Sequence, residues 1–457
     1  MTEAASQSKA KRPARLRRFT ARVYQAVWRW HFWASLILTP ILIVVSVTGA
    51  LYVFKPQLEP LLYPGLFQVE VPAGAERGSA AAGLKAGSFD AFEAAAAEHL
   101  PDHHLAYISI FPDPERSWEG YARHTRADGS IENLRVFFDP YRNTWLGAQD
   151  YNGTLFRLIL TAHRNLFAGL PGRLIVEAMT CWTIISVLTG IYLWWPRKRE
   201  RFWGVWLPRI RGTRRQLWKD WHTVPGFYLS VILILVLVTG LLFTRVWGTA
   251  WLGLNAVTGG FPAFYTDPPH AEVPADAEAA QRIDIDAAYA IASDRFSFAE
   301  RTHQIEVPRA DGKDDHPFQI MTALTKPMDG LRVVMVDSYD GEVLLAEDGE
   351  GLPWRTHLTL LFYPIHTGTI AGWPTQVLAV IACLALVGLG ISGVWLWWNR
   401  RPPGKLAAPR KPADPNIPAW ISWLTVALAI LLPTVGLTLL AVLAGGWLWR
   451  RWRPAVP

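Results

Sequence analysis

Trp28–Phe54 reads WRWHFWASLILTPILIVVSVTGALYVF, an apolar run longer than the roughly 20 residues a helix needs to cross a bilayer. Its one imidazole, His31, sits where a basic tail meets the apolar stretch. A second copy starts at Trp218 and reads WKDWHTVPGFYLSVILILVLVTGLLF. In both copies a Thr-Gly pair follows the histidine by 17 positions, at Thr48-Gly49 and Thr239-Gly240. Two equivalent histidines at one membrane depth imply a shared ligand.

Composition agrees with a chain built for lipid. Of 457 residues, 51% are hydrophobic and 24 are Trp, a residue that gathers where bilayer meets water. Cys181 and Cys383 both fall inside apolar spans, so neither a disulfide framework nor a thiolate metal site is expected. No nucleophile motif, phosphate loop or dinucleotide fingerprint is visible. The excess of basic residues gathers in the tail and two loops, where it suits a membrane surface or an acidic flavoprotein; no nucleic-acid partner is expected.

Charge also orients the chain. Residues 1–30 carry eight Lys and Arg against Glu3, which holds this tail in the cytoplasm; the following span is too long for a cleaved leader. A first span at 31–54 then leads to an outer module at 55–160. This begins with a flexible run, AGAERGSAAAGLKAGS, then a helix, FDAFEAAAAEHL, and strands LAYISIF, SWEGYARHT and LRVFFDPYRNTWLG, the last turning at Asp139-Pro140. A histidine-bearing segment and second span fill 161–195, a basic cytoplasmic loop 196–221 and a third span 222–243. A second outer module occupies 244–356, where LRVVMVDSYDGEVL aligns with LRVFFDPYRNTWLG and Asp337 with Asp139. A histidine-bearing segment with a fourth span takes 357–398 and a cytoplasmic loop 399–418. One long span kinked at Pro433 takes 419–449, because two crossings would need about 40 apolar residues. The tail 450–457 ends outside.

The second and fourth spans align as well. His163 and His366 are each followed six positions later by Gly169 or Gly372, and the register runs on to Thr189-Gly190 and Ser392-Gly393. The expected fold is therefore a mainly α-helical membrane protein: a duplicated two-span unit plus a fifth span, with two periplasmic α+β modules. Repeats of even span number share one orientation, so their axis lies along the membrane normal. His31 then meets His222 near the inner face, and His163 meets His366 near the outer face.

Two stacked histidine pairs are the pattern of a protein that holds two haem b groups, each iron taking two imidazoles and keeping no open position. Arg29, Arg164 and Arg355 lie close enough in sequence to pair with haem propionates. His357 has no counterpart in the first repeat and is an alternative outer ligand to His366. The module histidines His103, His104, His124, His270, His303 and His316 lack metal-ligand spacing and read as surface residues. A peptide-binding accessory or sensor protein without redox activity, and a transporter with a midplane site, are the competing readings.

The segments WHFWASLILTPILIVVSVTGALYVF, HRNLFAGLPGRLIVEAMTCWTIISVLTGIYLWWPR and HTGTIAGWPTQVLAVIACLALVGLGISGVWLWWNR resemble the PepSY-associated transmembrane helix family, and the modules resemble PepSY domains. That resemblance implies an inner-membrane ferric-siderophore reductase of Gram-negative type. It implies haem b on His31, His163, His222 and His366, a cytoplasmic electron donor, and a periplasmic ferric chelate as acceptor. The segment after Trp420 departs from the four-span core, and Pro140 stands where the second module has Ser338.

Overall fold

The computed structural model describes residues 2–73, 87–196, 202–274, 281–309, 315–323, 330–405, 409 and 419–452. Most of the run 73–88 expected to be a flexible linker, residues 197–201 of the basic loop, most of the loop 399–418 and the last five residues lie outside the described residues.

In chain order the helices are α1 (Thr2–Val53), α2 (Lys55–Leu62), α3 (Pro64–Phe67), α4 (Phe89–His99), α5 (Leu155–Asn165), α6 (Gly169–Trp194), α7 (Arg214–Tyr228), α8 (Ser230–Gly240), α9 (Val246–Val257), α10 (Ala263–Thr266), α11 (Ile285–Arg295), α12 (Trp354–Thr367), α13 (Trp373–Trp398), α14 (Ala419–Leu431) and α15 (Pro433–Trp452). The strands are β1 (His104–Ile110), β2 (Trp118–Thr125), β3 (Ile131–Asp139), β4 (Thr144–Asp150), β5 (His303–Glu306), β6 (Phe318–Thr322), β7 (Val333–Val336) and β8 (Val343–Glu347). They divide into a helical unit (residues 1–53, 160–252 and 365–457) and a sheet unit (residues 54–159 and 253–364).

In the helical unit α1 packs along α6 and α13, and α7 and α8 pack on the same two helices. Three helices among the described residues are long and apolar enough to cross a membrane: Ala21–Val53, Gly169–Trp194 and Trp373–Trp398. The expected single span at 222–243 is instead two helices, Arg214–Tyr228 and Ser230–Phe243, bent by 64°. Pro225 lies inside the first of them and removes a backbone donor there. Counted together they make a fourth span. The expected long span at 419–449 is also divided, because Pro433 both lacks an N–H and disfavours helix at the residue before it. A Cβ on Gly436 would stand 3.2 Å from that of Ala429, whereas seven residues of straight helix span about 10.5 Å. The chain therefore turns sharply at Leu432 rather than kinking.

The apolar interior of this unit is filled by Leu233, Leu237, Leu241, Ile184, Ala382 and Leu386, with Leu432 and Val435 closing one side. Two buried hydroxyls of this unit are satisfied within their own helices, Thr39 donating to Ser35 O (2.6 Å) and Thr183 to Met179 O (2.7 Å), which lets polar residues sit in an apolar helix. Arg173 donates to Phe243 O and Gln376, its counterpart in the repeat, donates to Val53 O, both at 3.0 Å. Each thereby satisfies a carbonyl at the end of a facing helix. Glu177, wholly buried, accepts the first two N–H groups of α9, from Val246 (2.8 Å) and Trp247 (2.9 Å); a carboxylate at a helix N-terminus is favourably placed.

The sheet unit departs from the expectation of two separate modules. Its strands form one antiparallel sheet in the order β4-β3-β2-β1-β5-β6-β7-β8. The two halves meet at β1 and β5, where Ile108 pairs with Ile305 and Ser109 with Gln304. An exposed edge of unpaired backbone is a liability, and mutual pairing removes it from both halves. The core on one face holds Phe89, Phe92, Ile108, Phe138, Phe318 and Val336 under α4 and α11. Strand β3 is buried on both faces, since Phe137 turns the other way to meet Phe67, ring centres 4.8 Å apart.

The two module helices exchange caps. Asp286 accepts from Phe89 N (2.9 Å) and the Ser88 hydroxyl (2.5 Å), while Asp90 accepts from Ile285 N (2.8 Å) and Asp286 N (3.3 Å). Each carboxylate thus stabilises the positive end of the other helix. The matched turn aspartates are structural in the same way. Asp139 Oδ1 accepts from Tyr141 N and Arg142 N, and Asp337 Oδ1 from Tyr339 N and Asp340 N.

The module histidines are not all on the surface: the His103 side chain is only 12% exposed, and His303 lies deeper still. His303 is fully buried, donating from Nδ1 to Arg301 O (2.8 Å) and accepting from the Tyr289 hydroxyl (3.0 Å). Burial holds its pKa down to about 4, so it packs as a neutral ring. Its strand position, facing the core one residue before an outward Gln304, carried that information in its alternation.

Candidate paired-histidine site

Histidine enters each pair from a different helix, and the repeat brings like to like. His31 on α1 and His222 on α7 have ring centres 6.5 Å apart and planes at 84°. His163 on α5 and His366 on α12 have ring centres 6.2 Å apart and planes at 52°. Both pairings expected from the duplication are therefore present. They are pairs, since no cluster of three or more His, Cys, Asp or Glu side chains suited to a metal ion occurs among the described residues.

All four rings are held through Nδ1. In the first pair His31 contacts the Thr189 hydroxyl (3.1 Å) and His222 the Ser392 hydroxyl (2.9 Å). Those hydroxyls spend their own protons elsewhere, Thr189 on Ile185 O (2.7 Å) and Ser392 on Leu389 O (3.1 Å). They can only accept from the ring. In the second pair His163 donates to Val45 O (2.8 Å) and His366 to Val236 O (2.9 Å), and a carbonyl only accepts. Each imidazole is thus the Nδ1–H tautomer, and its Nε2 carries the lone pair a metal ligand needs.

The glycines of the Thr-Gly and Ser-Gly pairs are where the rings lean. A Cβ on Gly49 would lie 3.0 Å from His163 Cε1, and one on Gly240 would lie 2.7 Å from His366 Cε1. Gly190 and Gly393 face His31 and His222 at a looser 3.4 Å. The second pair is the tighter one: a Cβ on Gly240 would force His366 to shift, and one on Gly49 would press on His163.

Ring spacing tests whether a metal held between two imidazoles fits. A metal–nitrogen bond of about 2 Å on each side, with ring centres about 1.2 Å behind the nitrogens, gives about 6.4 Å between centres on opposite sides of one ion. The observed 6.5 and 6.2 Å bracket that value. Beside the first pair lies a cavity of about 480 Å³, within the size range of cofactor sites. Its walls are largely apolar, with Phe32, Leu386 and Trp397, and they include the basic side chains Arg215, Lys219 and Arg400.

The basic residues singled out in the sequence are placed differently. Arg29 donates to Pro409 O (2.7 Å) and is not among the cavity's lining residues. Arg355 donates to the Thr258 hydroxyl (2.6 Å) and Thr258 O (2.8 Å), clamping the end of α9 to α12. Arg164 is exposed beside His163. His357 is exposed on α12, nine positions before His366, a spacing that puts it on the opposite side of a helix. It is His366, then, that pairs with His163.

Sequence reasoning missed Arg215, Lys219 and Arg400, although all three lie within seven residues of a span's histidine or Trp-Trp end. It saw Thr189 and Ser392 as repeated positions without assigning them a bond. The two valine carbonyls carry no sequence signal of their own; only their equal distance of 14 positions from His31 and His222 marks them.

A family model for the PepSY-associated TM region matches residues 28–400. No curated protein matches the sequence.

Proposed function

This chain belongs to the PepSY-associated TM family and is a multi-pass membrane protein; from that premise we propose that it carries electrons across the bacterial cytoplasmic membrane, from a cytoplasmic donor to a periplasmic ferric chelate, by way of two b-type haems. The observation that carries the reading is the fourfold pattern of imidazoles fixed through Nδ1, in two pairs at the spacing of a shared ion.

A haem held by two imidazoles supplies one-electron transfer without an open coordination position. The protein's own residues do the rest. His31 and His222 present Nε2 at one level, His163 and His366 at the other, and Thr189, Ser392 and two main-chain carbonyls fix the rings. His163 docks on α1 at Val45, 14 residues beyond His31, or about 21 Å along the helix axis. That separation divides a hydrocarbon layer of about 30 Å into shorter steps. Arg215, Lys219 and Arg400 place positive charge at the first pair's cavity, suited to propionates.

Ferric iron as the final acceptor follows from ligand preference: reduction weakens binding to hard oxygen donors, so a chelate releases its iron once an electron arrives. The N-terminus lies in the cytoplasm in this reading, and a flavoprotein or other reductant supplies electrons there. The test is reduction of ferric chelates by the purified protein in vesicles that contain reductant. Reduction outside that depends on His31 and His366 supports the proposal; reduction unaffected by either replacement sinks it.

A further inference from the structure

The two histidine pairs are alike by symmetry within each pair and unlike between pairs. At the first, both Nδ1 groups hydrogen-bond alcohol oxygens, with the main-chain carbonyls of Ser186 and Leu389 also close to the rings; at the second, both hydrogen-bond amide carbonyls, with the Thr48 hydroxyl a longer 3.4 Å from His163 Nδ1. The hydrogen bonds run 3.1 and 2.9 Å at the first pair against 2.8 and 2.9 Å at the second. We infer that this difference makes the pairs electronically unequal, with Thr189 and Ser392 as the positioning residues that set the first pair's electron affinity; the inference rests on the haem reading above.

The chemistry runs through the ring. Donation from Nδ1–H to an acceptor pushes electron density toward Nε2 and makes it a stronger base. A stronger base favours the more highly charged, oxidised state of the iron it binds. An amide carbonyl is a better acceptor than an alcohol, so His163 and His366 are the more basic ligands. Their iron is the harder one to reduce.

Charge works in the same direction. Three basic side chains, Arg215, Lys219 and Arg400, line the first pair's cavity against the exposed Arg164 beside His163 at the second, and nearby cations favour the state of lower positive charge on the iron. Ligand basicity and field therefore agree: the His31–His222 pair takes the electron first and the His163–His366 pair is the stronger reductant. That order suits a final acceptor that is itself difficult to reduce.

The two levels also differ in what mutation can reach. The second pair's acceptors are main chain, which no side-chain substitution removes. The first pair's are hydroxyls, which Thr189→Val and Ser392→Ala delete at nearly constant shape.

The full-length protein is purified in detergent and titrated electrochemically while haem absorbance is followed. The wild type is expected to show two components of unequal potential. Thr189→Val and Ser392→Ala should each raise only the upper one, by about tenfold in the reduced-to-oxidised ratio at fixed poise, or about 59 mV for a one-electron couple. Thr189→Ser keeps the hydroxyl and should keep the wild-type value, which separates tuning from packing. Should Thr189→Val lose its cofactor, Ser392→Ala and Thr189→Ser carry the comparison. Two haems that titrate together, or an upper component unmoved by these changes, overturn this inference and leave the proposed function standing. A wild type that binds no haem overturns both.

Discussion

Four glycines stand against four imidazoles, and their clearances are graded. Adding a methyl group at Gly240 brings it to 2.7 Å from His366, at Gly49 to 3.0 Å from His163, and at Gly190 or Gly393 to an ordinary 3.4 Å. Gly240→Ala is therefore expected to displace His366 and lower bound haem from two per chain to one. Gly49→Ala should weaken the second site less, and Gly190→Ala should leave both. Pigment quantification on the purified variants checks the order, and equal retention in all of them would contradict it. The histidines were legible because polar groups are rare in apolar spans and because each recurs in a copied context. What held them was only half legible: the Thr/Ser-Gly pairs recur visibly, while carbonyl acceptors belong to the backbone and look the same at every position. The arginines were harder to read because a basic residue near a span also serves topology: Arg29 and Arg355 bind main-chain oxygens, while Arg164 stays beside His163.

At the scale of elements, the sheet unit offers two tests. Arg135, 7% exposed, bridges Glu59 (2.9 Å) and Glu119 (2.5 Å), and Arg116 also pairs with Glu119. Arg135→Ala would leave buried carboxylates without their shared partner, a loss of about 3–5 kcal/mol, read as a lower unfolding midpoint; an unchanged midpoint would show that the cluster contributes no net stability. The second test concerns the exchanged caps of α4 and α11. Burial, and then the adjoining Asp286 carboxyl, push Asp90 up to about 6. A raised carboxyl binds its proton in the folded state where the unfolded chain has released it, so its stabilisation is complete at low pH and is lost as pH rises through about 6. His303, held down to about 4, acts in the opposite sense and loses stabilisation as pH falls below the ordinary histidine range. Comparing wild type with Asp90→Asn isolates the first effect: the wild type's advantage in Tm should shrink between about pH 4 and pH 6, and a constant difference would refute it. Helices and strands here were legible from alternation and caps. Their union into one sheet was not, because edge pairing between β1 and β5 depends on two segments nearly two hundred residues apart. Pro225 and Pro433 were visible as helix breakers, but a sequence does not state how far a chain turns at a break.

For the whole molecule, duplication is the organising fact: α1 with α5 and α6 is repeated as α7 and α8 with α12 and α13, and the sheet is built from two matching halves. The repeat explains why both levels hold a matched pair, and why replacing one histidine should empty one level only. His31→Ala or His222→Ala should remove the first haem, and His163→Ala or His366→Ala the second, whereas His357→Ala should remove neither. Haem stoichiometry and the resolved redox components distinguish these outcomes; loss of pigment in His357→Ala with retention in His366→Ala would reassign the second pair. All of them presuppose that the wild-type chain binds its cofactor, and the most direct measurement is a reduced-minus-oxidised absorbance spectrum of the purified full-length protein with haem quantified per chain. Electron transfer through two paired-histidine sites requires b-type bands and two haems for each polypeptide. A colourless protein, still colourless after incubation with haem, would contradict it.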